Sequence, residues 1–213
     1  PKVYLAKQPA KSVDAMGGII SGKAIVSNTN ADILNQGIMT ADTIVLGAND
    51  VENTGRIDGR KVTIKASQDV INTGNIHGEK QVNINVGRDI NVGAHVNRLQ
   101  HHDIVGRQGT IGVGEKGDLV LSAKRDVNLK GAIVYTGDNS KATIEAGQNI
   151  NLTTEALSAK KDMTVNSENY NRTDRRTELG TAILSDSNVN LHAGNDVNIR
   201  NGIVNRDRKS TRL

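Results

Sequence analysis

The chain has no cysteine, no phenylalanine and no tryptophan, and its 213 residues hold only three tyrosines, Tyr4, Tyr135 and Tyr170. Without cysteine there is no disulfide framework, no thiol nucleophile and no cysteine-ligated zinc or iron–sulfur site. Without large aromatics, Val, Ile, Leu and Ala must fill the interior. No run of about 18 apolar residues exists, so no segment can span a membrane as a helix. An excess of one charge is also missing: 27 Lys and Arg face 23 Asp and Glu, a net of +4. The signs are interleaved and aromatics for base stacking are absent, which argues against a nucleic-acid partner. No signal peptide is visible and Pro1 comes first, so the chain reads as a piece of something larger.

What is present is a repeat. The pattern apolar-x-apolar-x-small occurs from Ile44 to Ala48, Val62 to Ala66, Val82 to Val86, Leu119 to Ala123, Ala142 to Ala146, Met163 to Ser167 and Val189 to Ala193. Its period is near 20 residues. The step from Val82 to Leu119 is either two turns or one turn with a long excursion. Asp50, Asp69, Asp89, Asp126, Asn149 and Asp196 each open a further segment. About seven positions on, an apolar residue follows: Ile57, Ile76, Val96, Ile133, Leu157 and Ile203. Strict alternation over short stretches is the strand signal, and no convincing helical spacing is found. Propeller blades need about 40 residues and four strands each, and the leucine-rich consensus is missing. The pattern predicts an all-β chain, a right-handed parallel β-helix. Eight or nine rungs about 4.8 Å apart would make a rod of about 40 Å.

The expected organisation is an irregular lead-in over 1–18, a β-helix over 19–204 and a polar tail over 205–213. Two breaks in the period, near 97–117 and 168–181, are expected to leave the rod as hairpins or loops. Excursions from a solenoid are where partner contacts tend to sit. His101, His102, Tyr170, Arg175 and Arg176 are therefore the candidate contact residues, against the plainer reading of solvated decoration. Asn35, Asn53 and Asn72 match one another in three consecutive repeats and are expected to form a side-chain ladder along the rod. Gly37, Gly55 and Gly74 follow them by two residues and are expected to supply the positive φ of a sharp corner.

No catalytic, cofactor or metal site is expected. Gly112 to Gly117 fits G-x-G-x-x-G, but a dinucleotide site needs a helix after it, and residues 118–128 alternate like a strand. The five histidines lack zinc-ligand spacing. Carboxylates at glycosidase spacing could arise from the corner aspartates, yet recurrence in register is what a structural corner does. A β-helical polysaccharide lyase or hydrolase stays open as an alternative. Three acidic or basic groups converging in an aromatic-lined groove would favour it.

The units from Asp50 to Ile57 and from Asp69 to Ile76 resemble the filamentous haemagglutinin repeats of large bacterial exoproteins exported by the two-partner pathway. The stretches Gly109–Ala123, Leu157–Val165 and Asp174–Gly180 resemble the later haemagglutinin-repeat region of CdiA-type contact-dependent inhibition proteins. The likeness runs from about residue 17 onward. It implies a non-catalytic stalk segment of an adhesin or toxin-delivery filament, secreted or on the outer face of the outer membrane. It also implies an outer-membrane transporter as the parent's partner and a receptor on a neighbouring or host cell. A receptor-binding segment acting through its insertions is the second alternative. Any secretion or toxin domain would lie outside these residues.

Overall fold

The computed structural model describes residues 18–164, 170–200 and 203–206. The expected lead-in up to residue 17 and the tail beyond residue 206 fall outside them. The alternating segments form strands that coil into stacked layers. The first four layers each hold a long and a short strand: β1 (Ile19–Asn28) and β2 (Ile33–Asn35), β3 (Ile38–Ala48) and β4 (Val51–Asn53), β5 (Arg56–Ala66) and β6 (Val70–Asn72), β7 (Asn75–Val86) and β8 (Ile90–Arg98). Next, β9 (Asp103–Gln108) folds back on β8. The fifth layer is β10 (Thr110–Val113), β11 (Asp118–Ala123) and β12 (Val127–Lys130). The sixth is β13 (Ile133–Thr136), β14 (Lys141–Ala146) and β15 (Ile150–Thr153). A hairpin of β16 (Glu155–Thr164) and β17 (Tyr170–Leu179) intervenes. The seventh layer follows as β18 (Ala182–Ser185), β19 (Val189–Ala193) and β20 (Val197–Ile199), and β21 (Ile203–Arg206) starts an eighth.

Every layer pairs in parallel with the next, giving one eleven-stranded sheet along the rod and one narrower sheet beside it. This is a parallel β-helix. Eight stacked strands from β1 to β21 span about 34 Å at the usual strand spacing, a little less than the sequence estimate. The difference has a simple origin. Val82 pairs directly with Leu119 and Ala142 directly with Val189, so each long step is one turn carrying a hairpin. The motif at Met163 is not a rung: Met163 lies in β16, opposite Asn171 in an antiparallel pair. A hairpin strand alternates with the same period of two as a rung strand, and periodicity alone cannot separate them.

The interior is built as columns of like on like. Ile44, Val62, Val82, Leu119 and Ala142 follow one another through the register. So do Leu46, Ile64, Ile84, Leu121 and Ile144, and all ten are fully buried. Burying each large aliphatic is worth about 1.5–3 kcal/mol, and a rung is too narrow for wider rings. A third column runs Ile57, Ile76, Ile111, Val134 and Ile183. The buried members there are Ile111, Val134 and Ile183, whereas the apolar residues that the pattern picked out were Val96, Ile133 and Leu157. The hairpins displace two of these, and Gly131, at φ +62°, precedes the shifted β13.

Gly37, Gly55 and Gly74 serve a different purpose from the one expected. Among the described residues the only glycine at positive φ is Gly131. A Cβ on Gly55 would instead stand 2.1 Å from the carbonyl oxygen of Gly37, and one on Gly74 2.1 Å from that of Gly55. These glycines stack backbone on backbone, and a side chain would push the layers apart.

Polar groups form ladders too. Asn35 donates to Asn53 Oδ1 at 2.8 Å and Asn53 donates to Asn72 Oδ1 at 2.7 Å. The ladder stops because the next member of the column is Val92. Asn72 turns its amide to the Thr110 carbonyl, 3.0 Å away. The corner aspartates make a second ladder. Each accepts the amide of the residue at the same corner one layer on: Asp32 from Asp50 at 3.1 Å, Asp50 from Asp69 at 2.8 Å, Asp69 from Asp89 at 3.0 Å, Asp89 from Asp126 at 3.1 Å and Asp126 from Asn149 at 2.9 Å. Arg88 grips Asp69 with two guanidinium nitrogens and Arg125 grips Asp89 likewise. The Arg88 hydrogen bond holds the Asp69 carboxyl below the usual carboxylate range, and Arg125 does the same for Asp89. The corner acids therefore already have work as caps.

Candidate interaction platform

Two hairpins leave the rod. In the first, Ala94–Arg98 of β8 runs antiparallel to Asp103–Gln108, with an irregularity between His95 and Val96. The Leu99 amide donates to the His102 carbonyl at 3.0 Å and closes the turn. Gly109 donates to the Gly93 carbonyl at 2.8 Å where the chain returns. The excursion thus occupies 94–108, earlier than the expected 97–117. Residues 110–113 belong to a rung, and β11 follows Gly117 as a strand, so Gly112–Gly117 lacks the helix a pyrophosphate site requires.

The second hairpin, β16 with β17, is longer than expected, reaching back to Glu155. Thr181 seals its base. Its hydroxyl lies 2.7 Å from the Thr153 carbonyl and 3.0 Å from that of Leu129, and it accepts the Ala132 amide at 3.2 Å. A buried hydroxyl with three partners ties the interrupted layer together.

The hairpins meet each other. The Asp103 carboxylate accepts the Ser158 amide at 2.8 Å, the Ser158 hydroxyl at 3.1 Å and Arg98 Nη1 at 3.0 Å. These bonds, the Ser158 amide first, hold its carboxyl below the ordinary range. Arg98 also pairs with Glu155, which is buried and takes Lys130 Nζ at 2.8 Å. A buried carboxylate with two cations is compensated; removing one partner would leave it costly. The Lys160 amide donates to the His101 carbonyl at 2.6 Å, and His102 bridges to Ala159.

Four of the five candidate contact residues lie around this junction. His101 and His102 are exposed beside Lys160 and Ala159. Arg175 lies opposite Ala159 and Arg176 opposite Ser158, and both arginines are exposed. Tyr170 stands farther out, opposite Thr164. Leu99 and Ile104 are exposed apolar residues on the first hairpin. The clamp of Arg98, Asp103, Glu155, Lys130 and Ser158 was not legible in the sequence. Its two halves lie more than fifty residues apart and belong to no periodic pattern.

A separate groove of about 560 Å³ runs over the long sheet between Ser21 and Glu79. Asp42, Arg56, Asp58, Arg60, His77 and Glu79 line it. Asp58 is paired to Arg56. No Phe, Tyr or Trp is among its lining residues. Tyr135 lies to one side of it, over Gly112, where a Cβ would fall within 2.1 Å of its ring. It bonds His77 Nδ1 at 3.0 Å, and burial raises its phenol above the usual value. Among the described residues no group of three or more His, Asp or Glu is placed to hold a metal ion.

A second asparagine ladder runs on the outside of the rod. Asn198 donates to Asn151 at 2.9 Å, Asn151 to Asn128 at 2.8 Å and Asn128 to Asn91 at 3.0 Å. Its signal was present in the sequence: each stands two residues after a corner Asp or Asn.

Residues 105–208 match the family model described as hemagglutinin repeat. No curated protein matches the chain, and no solved structure does. The matched stretch carries hemagglutinin-type repeats, and the layers before it join the same sheets in the same register. No helix among the described residues is long and apolar enough to cross a membrane.

Proposed function

We propose that the chain is a stalk segment of a large exported filamentous adhesin or CdiA-type contact-dependent inhibition protein, carried to the cell surface through a two-partner transporter. The hemagglutinin repeat points to a structural, adhesin-type segment. One observation carries the mechanical reading: the aliphatic columns and the corner ladder run past both hairpins without losing register, Asp89 accepting the Asp126 amide across the first and Asn149 accepting the Asp196 amide at 3.3 Å across the second. Stacked layers of this kind give length from few residue types and can fold one after another. That suits a chain arriving unfolded at an outer surface.

The two clamped hairpins favour a second reading, a receptor-binding segment. Ordering two long hairpins costs conformational entropy, and a stalk needs neither. One experiment separates the readings. In cells displaying the parent protein, this segment is replaced by an unrelated β-helix with the same number of layers. A stalk retains adhesion or target-cell inhibition after the exchange; a receptor-binding segment loses it. Loss of function after exchange, together with recovery on grafting only the two hairpins, would reject the pure stalk. A lyase or hydrolase acting in the groove predicts release of new chain ends from acidic polysaccharides, abolished by Asp58→Asn.

A further inference from the structure

One outer face of the rod runs through seven layers, along the second halves of β1, β3, β5 and β7 and then β11, β14 and β19. Neither hairpin interrupts it, because both leave from the narrower sheet, after β12's neighbours β8 and β15. The central column of this face is Val26, Val45, Thr63, Asn83, Val120 and Thr143 in successive layers, an uncharged floor of small side chains. Exposed lysines and carboxylates stand only in the columns beside it: Lys61, Asp118 and Lys141 on one side, Lys65 and Glu145 on the other. Among the described residues none of these five is in an ion pair of its own chain. Gly47 interrupts the second of these columns and leaves a depression of about 660 Å³ lined by Val26, Asn28, Val45 and Lys65.

We infer that this face pairs with the same face of a second copy, the two rods antiparallel about a two-fold axis along β7. The third layer then faces the fifth and the second faces the sixth. Lys61 stands opposite Asp118 of the second copy, and Lys141 stands opposite Thr43. Glu145 stands over Gly47 of the second copy, where the depression admits it beside Lys65. The axis doubles each pair, giving four opposite-charge contacts around an uncharged floor. Packed sheets lie about 10 Å apart, a gap that a lysine and a carboxylate bridge together. Aligned sheets cross at about 30°, which displaces distant layers most, and Lys61 and Asp118 are each one layer from the axis. Other arrangements are worse. A slide of one layer sets Lys61 against Lys141 and so offsets its Lys65–Glu145 contact; the opposite slide leaves no charge facing another. Parallel rods set Lys61 against Lys65 and so offset Lys141–Glu145. A slide of three layers pairs Asp118 with Lys141 but engages only four of the seven layers. One alignment is thus selected by attraction and the others by repulsion or lost area are rejected. This inference does not depend on the stalk reading.

The test is sedimentation equilibrium of the full 213-residue chain, with two single variants. At the usual strand dimensions the face measures about 30 by 14 Å. Pairing would bury about 800–1,000 Å², the low end of specific interfaces, and predicts a dissociation constant of about 10–100 μM. Lys61→Glu sets the new carboxylate against Asp118 of the second copy, and Asp118→Lys sets the new ammonium against Lys61 of the second copy. Each variant alone should dimerise about tenfold more weakly, because two contacts turn repulsive. Mixed in equal amounts, the two variants should form a heterodimer, since both contacts are then attractive. Glu52→Lys and Lys124→Glu make the same charge changes off this face and should dimerise within about twofold of the unaltered chain. Far-ultraviolet spectra check that each variant folds, and a misfolded chain would not regain association on mixing. An unaltered chain that stays monomeric at several times those concentrations overturns the inference. So does a dimer indifferent to Lys61→Glu and Asp118→Lys, which would point to association through the ends of the rod. Failure of those two variants to recombine, or control variants that weaken dimerisation as much, overturns it too.

Discussion

Replacing Asn53 by alanine tests whether the buried asparagine ladder carries stability. Asn53 is fully buried. Its amide donates to Asn72 Oδ1 at 2.7 Å and to the Asn75 carbonyl at 3.2 Å, and its Oδ1 accepts from Asn35 at 2.8 Å. Alanine removes all three bonds at once. Asn35 keeps a contact to the Arg56 carbonyl at 3.3 Å, but Asn72 Oδ1 loses its donor inside the rod. A buried polar group left unsatisfied costs about 1–3 kcal/mol, so the loss should total about 3 kcal/mol. For a chain of this size that lowers the midpoint of thermal unfolding by about 6–12 °C. The control is Asn128→Ala. Asn128 sits in the outward ladder and also makes two amide bonds, at 3.0 and 2.8 Å. Water can replace those, and the expected cost is about 0.5 kcal/mol. The assay is far-ultraviolet circular dichroism against temperature, because the chain has no tryptophan. Unfolding of a layered rod need not be all-or-none, and the shift should be largest in the first phase if the layers around Asn53 open first. Equal shifts for the two variants would refute the reasoning, since burial would then not be what makes the ladder matter.

Ile64→Asp should unfold the central layers, because an unpaired carboxylate would stand between Leu46 and Ile84 in a dry column; an unchanged melting curve would contradict the inward placement. Gly55→Ala should destabilise by more than the usual helix or strand propensity difference, because its Cβ would fall 2.1 Å from the Gly37 carbonyl oxygen; Gly22→Ala, with only one atom within 4 Å at 3.6 Å, should be tolerated in the same melt. Asp69 and Asp89 have folded-state affinities for protons lower than their unfolded value near 3.8. Their contribution is complete above that value and is lost as pH falls through the lower folded values. Stability should hold between about pH 5 and 7 and drop below about pH 4, and Arg88→Gln with Arg125→Gln should flatten that drop. Asp103→Ala, which removes both bonds to Ser158 and the pair with Arg98, should loosen the two hairpins from each other while the rod keeps its melting midpoint, read as faster hydrogen exchange confined to Ala94–Gln108 and Glu155–Thr164.

The rod was legible because its rule is local. Alternation places Ile44, Leu46 and Ala48 on one face whatever surrounds them, and repetition every 18 to 20 residues brings like over like. Asn35, Asn53 and Asn72 could be matched by offset for the same reason. The rule misread Met163, Val96 and Leu157, because hairpin strands share the period of rung strands. It picked out Ile133 where Val134, one residue on, is the buried member, in the layer that opens after Gly131 with its φ of +62°. The glycines were located correctly and explained wrongly: close stacking of Gly37, Gly55 and Gly74 is a contact between layers, and no local signal reports it.

Sequence alone determined that this chain coils in parallel layers, which residues fill the columns, and where the corners fall, because each of those depends on neighbours a few residues away or one period on. Only the tertiary structure decided that two long steps are single turns bearing hairpins and that Arg98, Asp103, Glu155, Lys130 and Ser158 clamp the hairpins together. It also decided that β17 is left at an edge. Those outcomes depend on contacts between segments unrelated by the repeat, and a periodic pattern carries no information about partners outside its own period.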